Sequence, residues 1–359
     1  MNDSYLEVLE QYEGEFTGIR RGRGAWICEG ACGVKVLKEY RGTLKRLEFE
    51  EQVLEQLREN GGIQVDQYVR SREGELLTTA SDGAKYILKD WFLDRECSLK
   101  DSREVLTAVS QIAGLHKAFR QISWKDEWAM GSSLPPKLEE EMQRHSREMK
   151  RARTFIRGKR KKNEFELCVI RPFDEYYQQA LAAQNGLAQL ARPQSGLAGE
   201  DSTRPQSDAA QPRPGSDWSQ KGSARPGCTM ESNFLCHGDL DQHHVLIGER
   251  NTAFIEFNQM HLGQQMTDLY RFMRKVMEKY GWNERLGASM LESYDRVLSV
   301  SREDREILYC LFLYPEKYWK QLNYYFNANK AWVPDKNVEK LKSMEAQEAA
   351  RRRFLEEIR

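Results

Sequence analysis

The first ninety residues alternate short β-prone runs with turn signals. Three such runs lie between residues 14 and 41 and are separated by pairs of glycines, which predicts three short strands. From Leu44 the apolar residues recur with a period near 3.6 until Gly61–Gly62, which predicts one helix. Two more β-prone runs flank Ser81-Asp82-Gly83, and Asp-Gly in that position predicts a hairpin. We therefore expect an antiparallel sheet with one helix inserted after its third strand.

Beyond residue 100 the pattern becomes mainly helical. Val105, Val109, Ile112 and His116 recur at helical spacing, and a second helical stretch covers roughly 136–186. A β-hairpin follows much later, and amphipathic helices continue to the end of the chain. The sequence therefore predicts an α+β protein with a sheet-rich first part and a helical second part.

One segment departs from this pattern. Residues 187–230 are rich in Pro, Gly, Ser, Gln and Asp and contain very few large apolar side chains. Such a segment cannot bury enough apolar surface to offset the entropy of ordering it. We expect a disordered insertion within the helical part, because the apolar patterns on its two sides need each other.

Composition and charge narrow the function classes. Hydrophobic residues make up 40% and charged residues 31% of the 359 residues, which is ordinary for a globular protein. Lys plus Arg and Asp plus Glu both number 55, so no overall charge draws the chain to nucleic acid or to a membrane surface. No apolar run approaches the roughly 18 residues of a membrane span. We expect no nucleic-acid partner, no membrane span and no secretory leader.

Two further sequence features leave alternatives open. The seven cysteines are scattered and odd in number, which favours reduced thiols in a cytosol; the single CxxxC pair is weak support for zinc. Residues 144–162 are dense in Lys and Arg. The simpler interpretation of this run is a solvated helix face or a loop, and the alternative is a docking patch for an acidic partner.

The segment from His237 to Leu246, HGDLDQHHVL, carries the candidate chemistry. A strand leads into a loop with a central carboxylate, Asp239, and a short hairpin then leads to Phe254-Ile-Glu256-Phe257. Phosphoryl transfer needs a group that orients a hydroxyl and accepts its proton, together with ligands that hold metal ions on nucleotide phosphates. A loop carboxylate followed by further oxygen ligands is one arrangement that meets these needs.

Five blocks of the sequence carry a wider likeness: RGAW (23–26), VLKEYRGTLKRLEFE (36–50), YILKDWF (86–92), LCHGD (235–239) and YPEKYWKQLNYYFNANKAW (314–332). Together they resemble the kinase-like aminoglycoside/choline phosphotransferase superfamily, and within it the CotS family of spore coat proteins. The resemblance covers nearly the whole chain except residues 187–230. It implies a two-lobed protein-kinase-like fold with an antiparallel N-lobe sheet and a mainly helical C-lobe.

The resemblance also implies domain bounds. The N-lobe would span residues 1–92, with a five-stranded antiparallel sheet and one helix. The C-lobe would span residues 93–359, with the catalytic-loop hairpin at 234–258 and the insertion at 187–230.

Residue roles follow from the resemblance position by position. Lys38 would meet the nucleotide phosphates and Glu50 would pair with it, while the backbone of Asp90, Trp91 and Phe92 would form the hinge that meets an adenine. Asp239 would be the catalytic base. Asp268 would support the catalytic loop.

Two positions depart from the superfamily pattern, and both are metal ligands. His244 stands where Asn is expected, and Glu256 stands where Asp is expected. Imidazole suits transition metals better than Mg²⁺, which prefers oxygen ligands in tight octahedral geometry. Glu is longer than Asp by one methylene, and a displacement near 1 Å costs on the order of 10²-fold in a positioned reaction. Together these changes argue against efficient magnesium-ATP chemistry.

Simpler roles compete for the same residues. Lys38 and Glu50 would also suit an ordinary structural ion pair, and His237 would suit a scaffold role that braces the loop. Asp241, His243 and His244 form a candidate transition-metal site, although adjacent residues of a strand face opposite sides.

Three functions are therefore in view. The first is a spore-coat scaffold with a kinase-like fold and a degraded metal site, a pseudokinase that acts in the mother-cell cytoplasm and on the spore coat and binds other coat proteins. The second is an ATP-dependent phosphotransferase, with Mg²⁺ or Mn²⁺, that acts on a small-molecule or sugar hydroxyl with Asp239 as base. The third is binding of small molecules without turnover. The degraded metal ligands favour the first.

Overall fold

The computed structural model describes residues 4–22, 24–134, 136–190, 233–249, 251–327 and 335–359. The expected insertion at 187–230 lies almost entirely outside the described residues. Its first four residues belong to a helix that continues to Leu190. The last five residues of the aromatic block at 314–332 also lie outside the described part.

An antiparallel sheet dominates the N-terminal part. A short helix, α1 (Ser4–Leu9), precedes three consecutive strands that pair in order, and the helix α2 (Leu44–Gly61) follows them. The strands of this part are β1 (Phe16–Arg21), β2 (Ala25–Gly30), β3 (Gly33–Glu39), β4 (Gln64–Val65), β5 (Tyr68–Val69), β6 (Thr78–Thr79) and β7 (Lys85–Asp90). Six of them form one sheet in the order β1-β2-β3-β7-β5, with β6 paired to β7.

The sheet is thus larger than the sequence predicts. It has six strands where five are expected, and α1 is a second helix where one is expected. The additional strand, β5, contains only two residues, which is too short to show an alternating pattern. The predicted hairpin between β6 and β7 is present, and Gly83 adopts a positive φ of 84° in its turn.

Helices form most of the rest of the described chain. In order they are α3 (Ser102–Gln121), α4 (Leu138–Gly158), α5 (Glu164–Ile170), α6 (Phe173–Leu190), α7 (Met266–Lys279), α8 (Glu284–Asp295), α9 (Arg302–Leu313), α10 (Glu316–Asn327) and α11 (Asp335–Ile358). The single stretch expected at 136–186 is therefore three helices. The face of α3 that carries Val105, Val109, Ile112 and His116 is fully buried, as its spacing predicts.

A small mixed sheet joins the two parts. Its strands are β4, β8 (Arg95–Glu96), β10 (Val245–Ile247) and β11 (Thr252–Phe254), whereas β9 (Phe234–Cys236) and β12 (His261–Gly263) pair separately in an antiparallel two-stranded sheet. β4 from the N-terminal part pairs in parallel with β11, and β10 pairs with both β11 and β8. The hairpin β10–β11 is therefore held from both lobes, which positions the loops at its ends.

Two apolar cores stabilise the helical part. The larger one packs α3, α7, α8, α9 and α11 around residues such as Phe254, Phe272 and Phe312. The smaller one joins α4, α5 and α6 to Tyr318 and Leu322 of the aromatic block. That block is therefore partly core, because burying aromatic rings supplies much of the hydrophobic stabilisation. Among the described residues, no helix is long and apolar enough to cross a membrane.

Candidate functional site

The loop after β9 carries the His237-Gly238-Asp239 sequence. Gly238 has a φ of 83°, and a Cβ at this position would collide with the carbonyl oxygen of Gln259. Only glycine adopts this conformation at little steric cost. The loop therefore turns sharply and places Asp239 at the surface of the site.

Asp268, in the first turn of α7, holds this loop from beneath. Its two carboxylate oxygens accept the backbone N–H groups of His237 (2.7 Å) and Gly238 (2.9 Å). His116 lies 3.4 Å away through Nε2, and its Nδ1 contacts the hydroxyl of Tyr294 at 2.7 Å. Burial alone raises the pKa of Asp268, but the hydrogen bond and charge of His116 and the charge of His237 outweigh it and lower the pKa to about 2.

His237 is a buried brace. Its Nε2–H donates to the carbonyl of Ile255 at 3.0 Å, and its Nδ1 accepts the backbone N–H of Asp239 at 3.3 Å. Burial lowers the pKa of His237 to about 4, so the imidazole is neutral at pH 7. This placement favours the scaffold interpretation of His237.

Asp239 is partly exposed and bound to a cation. Its Oδ1 accepts a hydrogen bond from the guanidinium of Arg271 on α7. One turn further along α7, Lys275 binds Asp241 in the same way. The expected base therefore has an arginine on one of its two carboxylate oxygens.

His244 contacts the same loop. Its Nδ1–H donates to the backbone carbonyl of Asp239 at 2.5 Å, and the same nitrogen lies 3.8 Å from a carboxylate oxygen of Asp241. Because Nδ1 carries the proton in this tautomer, only Nε2 retains a lone pair. In this structure His244 braces the loop that carries Asp239.

Lys38 and Glu256 come together although they are 218 residues apart in sequence. The ammonium of Lys38 on β3 binds the carboxylate of Glu256, and both side chains are mostly buried. Burial and the nearby charge of Lys89 lower the pKa of Lys38 to about 8, against the opposing charge of Asp66.

Glu256 adopts a backbone conformation that is uncommon outside glycine. Its φ is 69°, in the left-handed region. Its backbone N–H donates to Oδ2 of Asp66 at 3.1 Å, and Asp66 in turn binds the ammonium of Lys89 at 2.8 Å. Asp66 is 2% exposed, and its other carboxylate oxygen has no hydrogen-bond partner in the described part of the chain. The Lys89–Asp66 pair therefore helps to hold Glu256 against Lys38.

The expected pair between Lys38 and Glu50 is not formed. Glu50 is 1% exposed and binds Arg46, one turn earlier on α2, at 2.6 Å, and it accepts the hydroxyl of Tyr68 at 2.5 Å. Arg46 also donates to the carbonyl of Asn258 at 3.1 Å. Arg46, which lies on the same face of α2, binds the carboxylate of Glu50, and Lys38 binds Glu256 instead.

The expected hinge residues are engaged within the protein. The carboxylate of Asp90 binds Lys35 at 2.5 Å, and the backbone N–H of Trp91 donates to the carbonyl of Val34 at 3.0 Å. The side chains of Trp91 and Phe92 pack on an apolar cluster in the β10–β11 hairpin. They form a partly buried apolar surface at the junction between the lobes.

The residues of the site do not fit a divalent metal ion in this arrangement. Within the described ranges, no group of three or more His, Cys, Asp or Glu side chains is placed to hold one. Glu256 is bound by Lys38, Asp239 is bound by Arg271, and one nitrogen of His244 is used by the loop. The predicted pair of metal ligands, His244 and Glu256, is thus committed to other partners.

A cavity of about 660 Å³ opens beside Asp239. Its volume is typical of pockets for small molecules. The indole of Trp319 stacks on His145 with 3.5 Å between ring centroids and donates to Glu148 at 2.7 Å. The charged part of the wall comes from α4, α7, α10 and the loop after β9, and it includes Glu141, Asp239, Asp241, Arg271, Arg274, Lys275, Glu316 and Lys320. Acids and bases alternate on the wall, and several neutralise each other in pairs.

Sequence reasoning missed the cations that bind the site carboxylates. Asp268, Arg271 and Lys275 follow one another at intervals of three and four, so they share one face of α7. That spacing was a usable signal for Arg271 and Lys275. Asp66 and Lys89 gave no such signal, because each is isolated in a short strand or loop.

Comparisons with known proteins bear on the fold. No protein-family model and no curated protein is significantly similar to the sequence. Among solved structures, an aminoglycoside phosphotransferase from Alicyclobacillus acidocaldarius superposes with a TM-score of 0.77 at 14% identity, over 98% of this chain and 94% of that one.

Two further solved structures add bound ligands to this comparison. A spectinomycin phosphotransferase in complex with ADP and spectinomycin has a TM-score of 0.61 at 10% identity, with 96% of both chains covered. An amicoumacin kinase in complex with AMP-PNP and Ca²⁺ has a TM-score of 0.55 at 11% identity, over 99% of this chain and 94% of that one. The chain therefore has the two-lobed kinase-like fold of the aminoglycoside phosphotransferases, with an antiparallel N-lobe sheet and a helical C-lobe.

Proposed function

We propose that this chain is a spore-coat protein of the CotS type, a kinase-like scaffold with little or no phosphotransferase activity. The coat assignment is supported by the sequence resemblance of the five blocks. The weak activity is supported by the site, and above all by the ion pair between Asp239 and Arg271. A guanidinium on the carboxylate competes with the proton that a catalytic base must accept.

The other charged groups of the site point the same way. Lys38, which would bind nucleotide phosphates, is paired with Glu256, which would bind a metal ion. The cation and the acid of the site thus neutralise each other within the protein. A triphosphate would have to break this pair before it could bind, and part of its binding energy would be lost.

We also propose that the boundary between the N-lobe and the C-lobe lies at residues 92–93. The strand β7 ends at Asp90. The side chains of Trp91 and Phe92, which follow it, pack on the apolar cluster of the β10–β11 hairpin, and this packing supports a hinge at this place. The same surface would suit an adenine ring if a nucleotide binds.

An active phosphotransferase is the second candidate, and the cavity beside Asp239 favours it. Solved proteins of this fold are described with ADP or AMP-PNP bound. In this case Arg271 would move away, Asp239 would orient an acceptor hydroxyl in the cavity and take its proton, and Lys38 would leave Glu256 for the phosphates.

A thermal-shift titration separates the two candidates. Millimolar ATP is added with and without Mg²⁺ or Mn²⁺, and binding to the folded state raises the melting temperature. The scaffold proposal expects no metal-dependent rise for the parent chain. A metal-dependent rise together with product formation, lost in Asp239→Asn for turnover but not for binding, would establish the second candidate instead.

Reverting the two unusual ligands tests the reason for weak activity. His244→Asn restores an amide oxygen, and Glu256→Asp shortens the carboxylate at a left-handed position that Asp tolerates better than Glu. We expect ATP-dependent phosphotransfer only in the double variant. Activity in the parent that the double variant does not increase would contradict the proposed role of these substitutions.

The coat role has its own test. A fluorescent fusion of the whole chain is expressed in a sporulating endospore-forming bacterium, with the unfused fluorescent protein as control. We expect the fusion to extract with the coat fraction of purified spores. Recovery only in the mother-cell lysate would refute the coat assignment while leaving the enzymatic question to the titration.

A further inference from the structure

Helix α4 has one buried face, and Lys and Arg side chains are dense along its exposed side and just beyond its last residue. Met142, Met149 and Ile156 are buried and pack toward α6 and α10. Between residues 144 and 162 the sequence contains ten Lys or Arg residues and one acidic residue. Because the chain as a whole is neutral, this segment concentrates positive charge that the remainder of the chain offsets elsewhere.

Part of this charge has no partner among the residues that the structure describes. Five exposed cations form no ion pair or hydrogen bond through their side chains in the part of the chain that the structure describes: Arg147, Lys150, Arg151, Arg160 and Lys161. We call these five residues the basic face. Their neighbours differ, since Arg153 binds Asp174 at 2.5 Å and Lys159 binds Glu166 at 2.5 Å.

An exposed aromatic pair lies along the same stretch. Phe155 is 53% exposed and Phe326 is 39% exposed, and their ring centroids are 5.3 Å apart at an angle of 78°. The ammonium of Lys159 lies 5.3 Å from the centroid of Phe155. Two rings at nearly a right angle form a ridge and not a flat platform. Such a ridge suits contact with apolar side chains better than stacking of a planar base.

We propose that the basic face and the Phe155–Phe326 ridge dock an acidic amphipathic helix of a partner protein. Arg147 and Arg151 are four residues apart, so they recur after one turn of α4, about 6 Å along its axis. Carboxylates four residues apart on a partner helix recur at the same interval. Charge complementarity sets the register and speeds the encounter, and the ridge supplies the apolar anchor.

This docking surface is separate from the candidate site. None of the basic-face residues is among the described residues that line the cavity beside Asp239. The proposal therefore goes beyond phosphotransfer or its absence, and it holds for a scaffold and for an enzyme. Under this proposal residues 144–162 are a docking patch for an acidic partner and not only a solvated helix face or loop.

Fluorescence anisotropy with a designed peptide tests the proposal on the full chain. The probe is a helical peptide of about 20 residues with Glu on one face and Leu beside it, and the reference is a scrambled peptide of the same composition. We expect the helical peptide to bind more tightly than the scrambled one. The affinity should fall as salt is raised, because exposed charges are screened.

Charge-reversal variants locate the binding surface. Arg147→Glu, Lys150→Glu and Arg151→Glu together should weaken binding about tenfold or more. The matched control is Arg103→Glu, Lys117→Glu and Arg285→Glu, three exposed cations on other helices. It should leave the affinity unchanged. If the first variant melts at a lower temperature, the corresponding Gln variants replace it and should show a smaller loss in the same direction.

A second pair of variants tests the ridge. Phe155→Ala should weaken binding, whereas Leu93→Ala, which removes a 71% exposed apolar side chain elsewhere, should not. Equal losses in the basic-face and control variants would overturn the proposal, as would equal affinity for the two peptides. Tighter binding of a single-stranded DNA oligonucleotide or of phosphatidylserine vesicles than of the helical peptide would also overturn it.

Discussion

The His237–Asp239 loop has two sides that use their charges differently. Beneath the loop, Asp268 is buried and accepts two backbone N–H groups, with His116 beside it. Above the loop, Asp239 is partly exposed and bound by Arg271, a side chain that solvent also reaches. The lower side holds the shape of the loop, whereas the upper side carries the ion pair on which the proposed weak activity rests.

This difference shows that the contacts that hold the loop are distinct from the contacts that its exposed carboxylate makes. The buried bonds to Asp268 are required for the loop conformation whether or not a substrate is turned over, because buried N–H groups must find acceptors. The upper pairs, Asp239–Arg271 and Lys38–Glu256, are free to change with function. We expect perturbations below the loop to act on stability and those above it to act on ligand binding.

Asp268→Asn should produce the largest effect. It removes the charge that the two backbone N–H groups and His116 surround, so the free energy of unfolding should fall by about 3–5 kcal/mol. Denaturant unfolding monitored by circular dichroism measures it. Asp94→Asn, at an exposed position, serves as control and should change the stability by less than about 0.5 kcal/mol. Similar losses in both variants would remove the distinction between the two sides.

Lowering the pH should have the second-largest effect on stability, and it should act through the buried residues beneath the loop. The pKa of His237 is about 4, against 6.5 for a free side chain, so the unfolded chain binds a proton in this range and the folded chain does not. The free energy of unfolding should therefore fall by about 3 kcal/mol as the pH is lowered from 6.5 to 4, because only the unfolded chain gains a proton on His237 in this range.

The pKa of Asp268 lies at about 2, below its ordinary value of 3.8, so its contribution is lost in the next range down, from pH 3.8 to 2. Equilibrium unfolding at a series of pH values measures both losses. In His237→Gln the loss between pH 6.5 and 4 should be smaller than in the parent. An unchanged slope would show that another group causes it.

Two substitutions of Glu256 should differ in stability by an intermediate amount. Glu256→Ala and Glu256→Gly both remove the ion pair with Lys38, but only glycine adopts the φ of 69° at little cost. The glycine variant should therefore be more stable than the alanine variant by about 1 kcal/mol, measured by denaturant unfolding. Equal stabilities would mean that the loop relaxes when the carboxylate is lost.

Arg271→Gln should have the smallest effect on stability. The Asp239–Arg271 pair is more than 40% exposed on both sides, and such pairs contribute less than about 1 kcal/mol. In the His244→Asn, Glu256→Asp background the same change should instead raise phosphotransfer, because it frees Asp239. The unfolding free energy and the rate of product formation are measured on the same samples. A stability loss as large as that of Asp268→Asn would contradict the comparison.

Local patterns determined much of the fold in advance. The strands up to residue 41, the helix that ends at Gly61, the hairpin at Gly83 and the buried face of α3 follow from residues close together in sequence. Periodicity and turn chemistry act over one or two turns of chain, so these elements are visible in the sequence. The same holds for the loop at Asp239, which Gly238 marks.

Only the tertiary structure decided which distant charges meet. The i,i+4 spacing of Arg46 and Glu50 is visible in the sequence, but the contact of Tyr68 with Glu50 and the pairing of Lys38 with Glu256 across 218 residues of chain are not. Coulomb attraction is not directional and many carboxylates compete for each cation, so the winner depends on which backbone positions packing brings within a few ångströms. The order of the elements and the loop are properties of the sequence, whereas the pairing of Asp239 with Arg271 and of Lys38 with Glu256 is a property of the folded arrangement.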